Sequence, residues 1–278
     1  MVFQSRLMKA IARPRIFSPT GRMRRRGVAA SVCLAALLAT GCVQLRSATA
    51  PMYTLSDPSP CTVRADTLLV MLPGVYSHPD EFVREGFVRA VQERRLAVDV
   101  LRVDAHLGYY EKGSFVERLR QDVIAPAQAR GYRAIWLVGI SLGGFGGLIY
   151  AQERPGDLAG LVALAPYLGE PALAAEVADA GGLLRWTAPI RPTDDARLKR
   201  ETDLWTGLQG YASPSGSALA PLWLGYGKAD RFAASNGPLG AVLPAERVFT
   251  TEGGHEWAPW RRLWQTMLPT LPLPHCTP

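Results

Sequence analysis

The six residues 67–72, Thr-Leu-Leu-Val-Met-Leu, are almost wholly apolar and stop at Pro73-Gly74, the pattern of a strand covered on both faces. From 79 to 95 the period changes: Val83, Phe87, Val88 and Val91 recur at helical spacing with charges between them, which predicts one amphipathic helix. A strand is expected at 97–103. A second helix is expected from Ser114, through Val116, Leu119 and Val123, toward Arg130, with Ser114 and Glu117 spaced as a capping box. Further apolar runs at 134–138, 158–165 and 221–225, and a more polar one at 245–250, read as strands, and a last helix is expected over 257–267. Strands alternating with helices in this way predict an α/β fold built on a mostly parallel sheet with helices on both faces. The alternation lapses over 170–218, where weaker helical patches hold Trp186, Trp205 and Tyr211 among Gly, Pro and Ser. This stretch is expected to be a cap-like insertion over one edge of the sheet, placed before the strand at 221–225.

The run at 134–138 leads directly into Gly139-Ile140-Ser141-Leu142-Gly143 and then into the apolar 148–151. A serine at a sharp strand-to-helix turn, flanked by glycines, has the form of a nucleophile elbow. The turn is strained and brings strand and helix close together, so its neighbours must lack bulk. Gly144, Gly146 and Gly147 follow within the helix, where each glycine costs about 1 kcal/mol against alanine; close packing of that helix on a sheet accounts for them.

The net charge of +7 points at first to nucleic acid or anionic membrane. Its location removes that reading. Eight of the 31 Lys and Arg residues lie in 1–41, which hold no Asp or Glu, so the rest of the chain carries 23 basic against 24 acidic residues. The basic character belongs to a leader, and no nucleic-acid partner is expected. Within it, Arg24-Arg25-Arg26 precede the apolar stretch 28–38, too short for a comfortable permanent span, and Leu38-Ala39-Thr40-Gly41-Cys42 follows. That ending resembles a bacterial lipoprotein signal, with Ala39 where leucine is usual. The resemblance implies a leader over 1–41, lipidation of Cys42, and an exported protein held at the cell envelope by its N-terminal lipid; ordinary cleavage or an uncleaved anchor are the alternatives. Met23 opens a well-proportioned signal by itself and is a candidate start of translation. Residues 42–62, rich in Ser, Thr, Ala and Pro, are expected to form a tether to a domain over 63–278. Cys33 falls in the leader, which leaves Cys61 and Cys276 as either a disulfide or two separate thiols, and export favours the disulfide.

From 67 to 267 the chain resembles the α/β-hydrolase superfamily, whose catalytic residues follow the order serine, acid, histidine. Three segments match. Ser141 stands on the elbow. Asp230 follows the strand at 221–225 in Gly225-Tyr226-Gly227-Lys228-Ala229-Asp230, and His255 follows the strand at 245–250 in Glu252-Gly253-Gly254-His255-Glu256-Trp257. The resemblance implies Ser141 as nucleophile, His255 as its base, and Asp230 as the carboxylate that orients the imidazole. The blander readings are a surface histidine in a glycine turn and an aspartate capping the next segment. His78, His106 and His275 fit the base less well, though His78 follows the first strand and is a candidate pocket residue. Among other acids, Asp194, Asp195 and Asp203 fall in the insertion, the first two in the charged first turn of a helix. An oxyanion hole is expected from the N–H of Leu142 and, after the first strand, that of Val75, with Tyr76 as the alternative; Pro73-Gly74 stands where the family often has His-Gly.

The implied activity is hydrolysis of a carboxylic ester or thioester through an acyl-enzyme, on a small-molecule or lipid-like substrate. An acyltransferase using the same serine, and a non-catalytic envelope lipoprotein of the same fold, are the alternatives; peptidase and C–C hydrolase activities also occur on such sites. No phosphate loop, dinucleotide fingerprint or metal-ligand spacing is present in the sequence, so no cofactor and no metal is expected. Trp186 and Trp205 suit either an apolar acyl pocket or the core.

Overall fold

The structure is a computed structural model that describes residues 46–189, 195–212 and 218–277. The leader, the Met23 start, Cys33, Cys42 and Asp194 lie outside the described residues. Seven strands form one sheet: β1 Thr54–Asp57, β2 Thr67–Leu72, β3 Val98–Val103, β4 Ala134–Ile140, β5 Gly160–Leu164, β6 Leu222–Gly227 and β7 Val248–Thr251. Their order across the sheet is β1-β3-β2-β4-β5-β6-β7. Every neighbouring pair is parallel except β1 with β3.

Ten α-helices complete the described fold: α1 Glu81–Arg84, α2 Phe87–Glu93, α3 Leu107–Glu111, α4 Phe115–Leu119, α5 Ala125–Ala129, α6 Leu142–Glu153, α7 Pro171–Asp179, α8 Ala196–Leu208, α9 Ala233–Gly240 and α10 Trp257–Met267. Strand alternation sorts the sheet's side chains to two faces. Leu69, Met71, Trp136, Val138, Ile140, Val162 and Leu164 form one cluster with Phe87 and Val91 of α2 and Leu263, Trp264 and Met267 of α10. On the other face a side chain at Gly147 of α6 would run into Leu161 and touch Leu137. Helices therefore cover both sides, as the near-continuous apolar strands require.

Several elements differ from the sequence reading. The helix expected over 79–95 is two short ones, because Gly86 between them takes a left-handed φ of 77° and Val83 is turned out to solvent. The capping box at Ser114 does not form: the Ser114 hydroxyl is directed to the Tyr109 carbonyl, and that helix passes through a π turn at Arg120–Ile124 before α5. Asp195 is the N-cap of α8 rather than part of its first turn, accepting from the Arg197 and Leu198 N–H groups. The segment read as tether is largely part of the fold. Residues from Ser47 belong to the compact unit Ser47–Pro278, with β1 paired to β3 and the Ser59 N–H donating to Asp99 Oδ1 at 2.7 Å. Cys61 and Cys276 are joined by a disulfide whose Cα atoms lie 5.3 Å apart. The insertion carries α7 and α8, and α8 packs on α6. Trp186 and Trp205 are both buried, and Trp205 donates its ring N–H to the Leu168 carbonyl at 2.7 Å, so the core reading of both holds.

Candidate active site

The residue after β4 is Ser141, and its backbone is in a region that L-residues seldom occupy, φ 52° and ψ −110°. That strain persists only where the surroundings over-determine it. Here the Ser141 N–H donates to the Leu164 carbonyl at 2.9 Å, while its carbonyl accepts from the Phe145 N–H at 3.0 Å and the Tyr167 N–H at 3.1 Å. The glycines are needed for close approach. A Cβ at Gly139 would lie inside contact distance of the Gly143 carbonyl, and one at Gly143 inside that of the Leu72 carbonyl. The turn thus lies between the ends of β4 and β2, with the hydroxyl raised at the rim.

Asp230 reaches the same rim through backbone packing. Gly227, the last residue of β6, leaves no room for a side chain against the Gly253 carbonyl, which itself accepts from the Ala229 N–H at 3.0 Å; the Lys228 N–H donates to the Thr251 carbonyl at 2.8 Å. These bonds fasten the loop after β6 to the loop after β7. Gly253 turns the second loop with φ 113°, and His255 follows two residues on.

The result joins three residues that are distant in the numbering. His255 Nδ1 lies 2.8 Å from Asp230 Oδ2, and His255 Nε2 lies 2.9 Å from Ser141 Oγ. Asp230 Oδ1 accepts from the Phe232 N–H at 2.8 Å, so both carboxylate oxygens are occupied, and the side chain is fully buried. With Nδ1–H donating to that carboxylate, Nε2 faces the hydroxyl as acceptor, the arrangement in which imidazole draws off a serine proton. The histidine ring is held edgewise between Phe232 and Trp260, each with its centroid 4.9 Å away.

Gly74, on the loop after β2, faces Ser141: a Cβ there would lie 3.7 Å from the serine Cβ. Val75 follows it. Neither the Val75 nor the Leu142 N–H donates to an acceptor among the described residues, and Tyr76 carries its ring into solvent. The other histidines take no part. His78 is exposed, His106 caps α3 by accepting from the Gly108 N–H at 3.2 Å, and His275 pairs with Leu96 in an isolated bridge. Among the described residues no group of three or more His, Cys, Asp or Glu side chains converges as a metal site.

Two neighbours of the site escape a reading of the sequence. Tyr167 packs between Phe145 and Phe232, and its hydroxyl donates to Glu201 of α8 at 2.8 Å. Glu201 is 1% exposed, also accepts from the Glu170 N–H and from Arg197, and its pKa is raised by burial. The available signal for Tyr167 was its place just beyond β5, on the rim where the elbow lies; Glu201 gave none.

No family model matches the chain, and no curated protein does. Solved structures do. An S-formylglutathione hydrolase from Staphylococcus aureus is 16% identical with a TM-score of 0.51, covering 81% of this chain and 97% of its own. A ferulic acid esterase is 14% identical with a TM-score of 0.53, covering 79% and 97%. Est1E from Butyrivibrio proteoclasticus is 17% identical with a TM-score of 0.53, covering 79% and 93%. With its strand order, its elbow and these likenesses, the chain has the α/β-hydrolase fold.

Proposed function

We propose that this protein is a serine hydrolase that cleaves a carboxylic ester or thioester. Ser141 attacks the carbonyl as His255 takes its proton; the alcohol or thiol leaves with that proton, and His255 then activates water to release the acid. Asp230 holds the imidazole in the required tautomer. The developing oxyanion is met by the Leu142 and Val75 N–H groups, and that neither donates to an acceptor among the described residues supports this role. The observation that carries the reading is the continuous Asp230–His255–Ser141 contact at 2.8 and 2.9 Å. The likeness to an S-formylglutathione hydrolase and to a ferulic acid esterase supports the substrate class.

The reading extends to location. The leader 1–41 directs export, Cys42 becomes the lipidated first residue, and the domain works at the bacterial cell envelope. The Cys61–Cys276 bridge supports an oxidising compartment.

Fluorophosphonate labelling tests the chemistry. The wild-type protein is expected to label and Ser141→Ala to remain unlabelled, with its ester hydrolysis down by roughly 10^4-fold or more. A panel of p-nitrophenyl esters of increasing chain length then bounds the acyl pocket. Full labelling of the alanine variant places the nucleophile elsewhere.

A further inference from the structure

The six parallel strands all end on the rim that carries Ser141. β1 runs the opposite way: its first residue, Thr54, is paired with Val103, the last residue of β3. The chain therefore enters the fold across the catalytic rim. It is fastened there before β1 begins. The Thr49 N–H donates to Tyr109 Oη at 3.3 Å, and Tyr109 Oη donates to the Thr49 carbonyl at 3.1 Å. The Met52 N–H donates to Asp122 Oδ2 at 2.9 Å, and the Tyr53 carbonyl accepts from Asp104, the residue after β3. Cys42 lies five residues before Ser47, which extended chain covers in about 18 Å at most. A lipid carried on Cys42 is thus joined by at most about 18 Å of chain to Ser47, from which the fold is entered across this rim.

The same rim exposes aromatic surface. Tyr53 is 58% exposed and Tyr76, two residues past Gly74, is 52% exposed. They belong to neighbouring ground, since β1, β3, β2 and β4 are adjacent and strands are spaced by about 4.8 Å, which puts Tyr53 three spacings, about 14 Å, from the elbow strand. Tyrosine suits a lipid–water boundary, because its ring is apolar and its hydroxyl stays wet. Val63, 65% exposed, stands before the start of β2 on the far rim and serves as the control position.

We propose that the catalytic rim docks against the lipid bilayer that holds the Cys42 anchor, with Tyr53 and Tyr76 seated at its surface. The esters cleaved are then amphiphiles presented by that surface, their acyl carbonyl at the lipid–water boundary. This rests on the hydrolase and anchor reading above and deepens it by naming where the substrate comes from.

The test uses the full lipid-bearing protein reconstituted on phosphatidylcholine vesicles. A thiol-reactive fluorophore is placed through Tyr76→Cys or, separately, Val63→Cys, and quenching by brominated lipid is read. At least threefold stronger quenching at position 76 is expected; equal quenching, or stronger quenching at 63, overturns the docking. In a second arm, Tyr53→Asp is expected to keep its rate on soluble p-nitrophenyl acetate while turnover of a vesicle-borne ester falls about fivefold. No loss on either substrate, or equal loss on both, counts against the proposal. The label pair needs no turnover, so it stays informative where Ser141→Ala retains activity and the nucleophile reading fails. An intact mass showing an unmodified Cys42 together with no vesicle binding overturns both anchor and docking.

Discussion

At Ser141 the backbone conformation and the packing around it form one device. The serine tolerates φ 52° because its N–H and carbonyl are both engaged and because Gly139 and Gly143 let β4, α6 and β2 meet without side chains between them. Gly143→Ala drives a methyl into the Leu72 carbonyl, which is backbone and has little room to move. Thermal denaturation is expected to show a loss toward the upper end of roughly 1–3 kcal/mol, with ester hydrolysis falling as the elbow shifts. Asp230→Asn tests a different element of the same site. It keeps the shape but no longer fixes Nδ1–H toward the carboxyl group, so kcat is expected to fall about 10^4-fold while the melting temperature moves little. A kcat within tenfold of wild type removes Asp230 from its role. Ser141, His255 and Asp230 were legible because the elbow glycines and the Gly-Gly before His255 leave marks in the sequence. Tyr167 leaves only its place just beyond β5, and Glu201 leaves no mark at all, since a glutamate on a helix has an ordinary surface use.

A buried carboxylate helps fasten α8 to the site. Glu201 links α8 to Tyr167, and Tyr167 in turn touches Phe232, the ring beside His255. Tyr167→Phe removes one bond from that carboxylate and is expected to lower stability by roughly 1–3 kcal/mol, checked by chemical denaturation. Burial raises the Glu201 pKa above its ordinary 4.5, against the opposing effects of Tyr167, the Glu170 N–H and Arg197. A raised acid pKa means that the folded state holds the proton more tightly than the unfolded state. Stability from this group is therefore fullest below 4.5 and declines as pH rises through the raised value. The melting temperature of wild type relative to Glu201→Gln should fall across that window; a flat difference refutes the assignment. Other elements show why short pieces hide. β1 has four residues at an edge, only partly buried, so Thr-Leu-Ser-Asp carries no period to read. α9 contains Gly237 and Pro238, both helix breakers, and forms anyway where it packs on α7 and β6.

Across the whole unit, the Cys61–Cys276 bridge ties the segment between β1 and β2 to the chain's end, 215 residues away. Around it, Ala97 N–H donates to the Pro274 carbonyl and Cys276 N–H to the Arg95 carbonyl, so the C-terminal segment is laid against the entry to β3. Closing so long a loop restricts the unfolded chain, and reduction is expected to destabilise the protein by about 2–4 kcal/mol, read as a lower melting temperature with reductant than without. An unchanged melting temperature on verified reduction contradicts this.

The amino-acid order by itself determined that strands and helices alternate, that the sheet is mostly parallel and covered on both faces, and that a serine sits at a glycine-flanked bend. Those properties are written in local periodicity and in the small residues that a close approach demands. Only the tertiary structure decided that positions 141, 230 and 255 meet within hydrogen-bonding distance, that the stretch read as tether supplies an edge strand, and that the chain comes in over the rim that carries Ser141. Each of these depends on which distant backbones lie side by side, and that is set by the packing of the assembled sheet rather than by any short run of residues.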